Sequence, residues 1–263
     1  MSVTESKTEL YNMDNMDTAE PAIEKAGSHR GAEVFERYIQ PCVAELLGSA
    51  LFIFVGCSSV IENVEGTGRL QPALAHGLAL AIVIALFGEI SGGHFNPAVS
   101  VSVFLVGGLK VILLVPYILA QMLGGMIGAG LAKAISSPEK YSNATGAAFD
   151  AVKNDAEVGA ATVAEMVMTL FLTMTVCMGA VNKRTSSGMA PFCIGLTVAA
   201  DILVGGAVSG ACMNPARALG PAVVSGYWSY HWIYWVGPLL GALLTASFVR
   251  LLLGDKRIRV LLK

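Results

Sequence analysis

Two copies of the tripeptide Asn-Pro-Ala, at Asn96-Pro97-Ala98 and Asn214-Pro215-Ala216, are the residues whose types and spacing point most directly to chemistry. Asparagine is a favoured helix N-cap, and proline suits the first helical position, where its missing N–H had no partner in any case. Each tripeptide therefore starts a helix. The asparagine carbonyl accepts from the first helical N–H groups, which leaves the amide N–H donors of Asn96 and Asn214 to face a passage. A helix N-terminus carries roughly half a positive charge, so two that meet repel cations and protons. A water held by both asparagines accepts from each and turns its hydrogens outward, which interrupts a proton-hopping chain.

The elements that position these motifs are apolar. The chain is 54% hydrophobic and 14% charged, with a mean hydropathy of +0.64, a balance that points to a membrane rather than to a soluble domain. A span needs about 20 mainly apolar residues. Six stretches qualify: Cys42–Ile61, Pro72–Ile90, Val111–Ile135, Gly159–Val181, Ala190–Val208 and Trp232–Leu253. Pro97–Gly107 and Pro215–Val224, which contain the motifs, are too short to cross. Lys183, Arg184, Lys256, Arg257, Arg259 and Lys263 put the loop between spans four and five, and both termini, on the cytoplasmic side. The sequon Asn143-Ala144-Thr145 then lies outside, where a glycan can be attached.

The two halves of the chain echo each other. Val43-Ala44-Glu45 returns as Val163-Ala164-Glu165, Cys57 as Cys177, Gly77-Leu78 as Gly195-Leu196, and Ser91-Gly92 as Ser209-Gly210. Each repeat holds an odd number of spans, so the second enters the membrane from the opposite side and the motifs dip in from opposite faces. The expected architecture is all-α: six transmembrane helices and two re-entrant half-helices in an inverted repeat. A disordered cytosolic tail is expected over 1–37, a channel domain over 38–255 with repeats at 38–136 and 157–255, and a cytosolic tail over 256–263.

Within this frame, Gly92-Gly93-His94-Phe95 and Gly210-Ala211-Cys212-Met213 read as irregular backbone that lines a wet cavity and offers carbonyls to solute. His94 is expected to brace its loop. Glu45 and Glu165, equivalent in the repeats, read as buried props that accept from loop backbone rather than as a proton relay. Arg217 stands one turn past Asn214, where the first repeat has Val99; an arginine inside a membrane faces a cavity or a partner and is a functional candidate. Asp201 beside Ile202 remains open, since neighbouring helix side chains point about 100° apart. Small residues at Gly124 and Gly128 read as close helix packing.

A net charge of −2 gives no field for nucleic acid. The five cysteines lack metal-ligand spacing and read as free thiols. No metal cluster, nucleophile–base pair or phosphate loop suggests an enzyme, and no cofactor is implied. Cys212, in the re-entrant loop close to Arg217, is the expected target of thiol reagents, with Cys57 its rival.

Ser91 to Val99, Met213 to Pro221 and Trp232 to Pro238 resemble the corresponding segments of aquaporins of the major intrinsic protein family, and the resemblance runs from about Tyr38 to Leu253. It implies a homotetramer in membrane lipid with one pore per subunit, and a constriction at His76, Ile202, Ala211 and Arg217. Many water-selective members have phenylalanine and histidine at the first two of these positions. The departure here, together with Leu70-Gln-Pro-Ala-Leu-Ala-His-Gly, is similar to a branch whose members imply ammonia and hydrogen peroxide as permeants besides water. Glycerol-conducting members carry aspartate after the arginine, where this chain has Ala218. A glycerol facilitator and a coupled secondary transporter are the competing readings, and the plasma membrane is the expected location, with intracellular membranes the alternative.

Overall fold

The computed structural model describes residues 31–63 and 67–261. The chain divides into two units, Met1–Arg37 and Tyr38–Lys263. Of the first, residues 31–37 are described and are helical; the rest of the expected disordered tail, and residues 262 and 263 of the C-terminal tail, lie outside the described residues.

The second unit is helical throughout its ordered elements. Helices α1 Gln40–Ile61, α2 Leu70–Ser91, α3 Pro97–Leu105 and α4 Val111–Ile135 form the first repeat. After a short α5, Pro138–Asn143, the second repeat comprises α6 Asp155–Val176, α7 Ala190–Gly205, α8 Pro215–Ser225 and α9 Ile233–Phe248. Single π-helical stretches, Cys177–Val181 and Val249–Leu253, prolong α6 and α9. The helices containing α1, α2, α4, α6 and α9 are long and apolar enough to cross a membrane, and α7 is a shorter apolar helix. At 16 residues α7 measures about 24 Å, a little under a hydrocarbon core of roughly 30 Å.

Most boundaries fall where hydropathy puts them, and the departures have physical causes. Helix α6 starts at Asp155, ahead of the expected Gly159, because Asn154 caps it: Asn154 Oδ1 accepts from Ala156 N at 3.0 Å, while Glu157 reaches back to Lys153 N at 2.8 Å. Such a polar start is invisible to hydropathy. Helix α5 follows its own cap, Ser137, in a loop that the sequence reading left without structure.

Packing repeats the internal symmetry. Helix α1 lies against α2 and α4 as α6 lies against α7 and α9; each half-helix packs on the last span of the other repeat, α8 on α4 and α3 on α9. The repeats meet where α2 crosses α7. There a Cβ on Gly77 would sit 2.6 Å from the Gly195 carbonyl oxygen, so the backbones touch only because both residues are glycine. Gly124 and Gly128 on α4 bear in the same way on the backbone of α1. Close backbone approach of this kind is the main source of helix association where lipid is as apolar as leucine. The outward faces are apolar, with Leu86, Val111 and Val204 exposed, as hydrocarbon requires of a solvent-facing surface there.

Candidate functional site

The irregular segments before α3 and α8 are held by two buried carboxylates. Glu45 Oε1 accepts from Ser91 Oγ at 2.7 Å and His94 N at 2.9 Å, and Oε2 from Phe95 N and Gln121 Nε2 at 2.7 Å each. Glu165 repeats the pattern on the second loop, accepting from Ser209 Oγ at 2.7 Å, Cys212 N at 2.8 Å and Met213 N at 2.7 Å. Tyr117 and Tyr234 hydroxyls donate to the Ser91 and Ser209 carbonyls, each at 2.8 Å. The loops need this grip because their backbone is strained: Phe95, Ala211 and Met213 have φ of 48°, 56° and 54°. A left-handed conformation costs an L residue roughly 1–2 kcal/mol, and charge-assisted hydrogen bonds of about 1.5–3 kcal/mol each offset it.

The half-helices start as the motifs predict. Asn96 Oδ1 accepts from Ala98 N at 2.8 Å, and Asn214 Oδ1 from Ala216 N at 2.9 Å and Arg217 N at 3.3 Å. The side-chain donors differ from expectation. Asn96 Nδ2 donates to Met213 O and Asn214 Nδ2 to Phe95 O, both at 2.9 Å. One N–H of each amide thus ties its half-helix to the opposite loop, and one remains for the passage.

Arg217 is 3% exposed, and among the described residues no carboxylate forms an ion pair with it. Its Nε donates to His76 Nε2 at 3.2 Å and its Nη1 to Ala147 O at 3.0 Å, while the Phe149 ring lies 4.7 Å from its Cζ. His76 Nδ1 is 2.7 Å from Pro72 O. A carbonyl only accepts, so Nδ1 carries the proton and Nε2 is bare to receive the arginine. Both ring nitrogens are thereby occupied, so neither has a proton or lone pair left to offer a solute. Gly56 makes room: a Cβ there would lie 2.5 Å from His76 Nε2.

One cavity of about 220 Å³ joins these groups. It is lined by Arg69 and Asp150 in the loops before α2 and α6, by His76, Ile202, Ala211 and Arg217, by Asn96 and Asn214, and by Val176 and Ile194 deeper in. Because α2 and α7 run in opposite directions, Arg69 before the first and Ile194 near the start of the second lie towards opposite faces. Gly93, His94, Gly210 and Cys212 also line it, whereas Gly92 is not on its wall.

Residues 34–249 match the major intrinsic protein family. The chain is 57% identical to aquaporin-8 of Rattus norvegicus, over 98% of each protein, and 42% identical to aquaporin TIP1-2 of Zea mays, over 78% of this chain and 82% of that one. This chain belongs to the major intrinsic protein family. The fold is that of the aquaglyceroporin from Plasmodium falciparum, which superposes with a TM-score of 0.70 at 20% identity, over 81% of this chain and 95% of that one.

Placed on this major intrinsic protein, the remaining candidates separate. His94 accepts or donates at Ser100 Oγ, 3.0 Å away, besides donating its backbone N–H to Glu45. Cys212 Sγ donates to Asn214 O at 3.0 Å and packs beside Tyr234. Cys57 is buried in α1 and does not line the cavity. Asp201 is buried, away from the cavity wall that its neighbour Ile202 joins, and its Oδ2 has no partner among the described residues. Asn143 is exposed at the end of α5. Among the described residues no cluster of metal-ligating side chains is present.

Sequence reasoning missed Ala147 and Phe149. The one local signal was an apolar run, Gly146 to Phe149, inside the otherwise polar loop between α4 and α6; its partner Arg217 is too distant in sequence to be read from it.

The grip of Glu165 is testable. Glu165→Gln puts an amide N–H₂ against a backbone N–H and leaves a loop group unpaired, which costs about 2–3 kcal/mol. Thermal unfolding in detergent is expected to show a clear drop in Tm, with none for the exposed Glu139→Gln. Equal Tm values would contradict the role.

Proposed function

We propose that the chain is a passive transmembrane channel for water and small neutral solutes, ammonia and hydrogen peroxide among them, closed to protons and ions. The observation that carries this reading is the single cavity bounded by the outer loops, the two asparagines and the inner ends of α6 and α7. It is wet by necessity, since it holds a buried, carboxylate-free guanidinium and two asparagine amides with donors to spare. The family and the aquaporin names of its relatives support the same reading.

His76, Ile202, Ala211 and Arg217 form the constriction in this reading. Arg217 and the paired helix N-termini repel cations. The aliphatic Ile202 and a histidine whose nitrogens are both engaged leave a wall of low polarity, which suits ammonia as well as water. Ala218 after Arg217 argues against a glycerol facilitator, and a coupled transporter would need ion dependence.

The chain works as a homotetramer, by family resemblance, with the channel domain over 38–255. Both termini face the cytoplasm, as the basic residues of 183–184 and 256–259 favour, and the exposed Asn143 carries a glycan at the plasma membrane. Cys212, on the cavity wall, is the thiol through which mercurials block.

Four outcomes follow in proteoliposomes. Arg217→Val raises proton or small-cation current by about tenfold or more; unchanged currents in a correctly assembled variant contradict the barrier. In stopped-flow assays wild type passes water and ammonia well above empty vesicles and glycerol at their level. His76→Phe with Ile202→His lowers ammonia permeability more than water permeability, and a proportional fall of both removes these two residues as the discriminating walls. Cys212→Ser abolishes mercurial inhibition of water flux; full inhibition in that variant moves the reactive thiol elsewhere, with Cys57→Ser as the next test.

A further inference from the structure

The outer loop between α4 and α6 contains three consecutive residues in the left-handed region, Thr145, Gly146 and Ala147, at φ of 52°, 62° and 61°. Strain of that kind persists only where the surroundings over-determine it, and it collects at functional sites. Here the turn aims the Ala147 carbonyl at Arg217 Nη1 and brings the Phe149 ring over the guanidinium.

The ring is seated on two further sides. It lies against the Tyr234 ring at 4.7 Å between centroids, tilted by 36°, and the Tyr234 hydroxyl is itself fixed on Ser209 O. Gly210, at φ 93°, leaves the third side open: a Cβ there would fall 2.5 Å from Phe149 Cδ1. The first repeat solves the equivalent problem locally, because Tyr117 packs on His94, at 5.4 Å, from the motif's own loop. In the second repeat the position of His94 is taken by Cys212, and the aromatic partner is supplied by the outer loop.

We infer that Phe149 is a positioning residue for Arg217, so that the outer loop sets what the constriction admits. The inference rests on the channel reading above. Two hydrogen bonds, to His76 and Ala147, hold the guanidinium, and neither blocks rotation out of its plane. The π-face of Phe149 does, by attracting the cation over its surface and by filling the space into which the side chain would swing. Without that face the guanidinium tilts, the opening widens, and larger neutral solutes enter.

The test uses Phe149→Leu, which keeps much of the bulk and removes the π-face, and Phe149→Tyr, which restores it, each alone and with Arg217→Val, in full-length protein in proteoliposomes. Phe149→Leu is expected to raise the ratio of glycerol to water permeability about tenfold, with water flux within about twofold of wild type. Phe149→Tyr returns the ratio to the wild-type value, and in the Arg217→Val background Phe149→Leu adds nothing further. A wild-type ratio in Phe149→Leu overturns the inference, as does an equal increase with and without the arginine. A loss of all flux with a lowered Tm in Phe149→Leu and in a second variant, Phe149→Met, also overturns it, since the ring is then only structural. If Arg217→Val alone alters neither solute nor proton flux, the channel reading of the constriction fails instead, and this result is distinct from the others.

Discussion

Backbone N–H and C=O groups that leave helical geometry at membrane depth find no water in the hydrocarbon and must be satisfied by the protein. In this chain two buried glutamates meet that requirement, one for each re-entrant loop. Glu45 and Glu165 sit on the first helix of each repeat and accept the serine hydroxyl and the two backbone amides that precede the asparagine. With the amides gathered on the carboxylate side, the loop is held as a ribbon whose other edge is free to face the cavity. The left-handed residues at Phe95, Ala211 and Met213 are the cost of that arrangement.

The two loops also depend on each other. Each asparagine spends one amide hydrogen on the carbonyl of the opposite loop, so the junction of the half-helices is one hydrogen-bonded unit rather than two capped helices placed end to end. The repeats are nonetheless unequal. Glu45 gains a fourth donor in Gln121, which also reaches Ser100, whereas among the described residues no side-chain amide donates to Glu165. The second loop instead has Arg217 beside it, a buried cation held by an imidazole, a carbonyl and an aromatic face. A cation contacted only by neutral groups keeps its field, and the proposed barrier to other cations rests on that field.

Much of this was legible in the residues. Val111–Ile135 is bounded by Lys110 and Ser136, and its helix begins and ends at those limits. The Asn-Pro pairs gave both half-helices through capping chemistry alone, and the recurrence of Val-Ala-Glu and of the motifs implied the inverted pairing of helices. What stayed hidden is long-range. The cross-bonds of Asn96 and Asn214 have their acceptors in the opposite repeat, and Ala147 and Phe149 contact Arg217 on α8, far along the chain. The turn at 145–147 was unreadable because two of its residues are not glycine: their conformation is imposed by tertiary contacts rather than by local preference. The Asn154 cap of α6 was a local signal, obscured because hydropathy weighs polar residues only as interruptions.

The account's central claim is that one passage admits water and refuses protons because its midpoint is built from helix N-termini and oriented amides. The most direct measurement is water and proton flux in the same vesicles as the amount of reconstituted wild-type protein is raised. The account predicts that water permeability rises with protein content while proton flux stays at the level of protein-free vesicles. Proton flux rising in step with water permeability would contradict it.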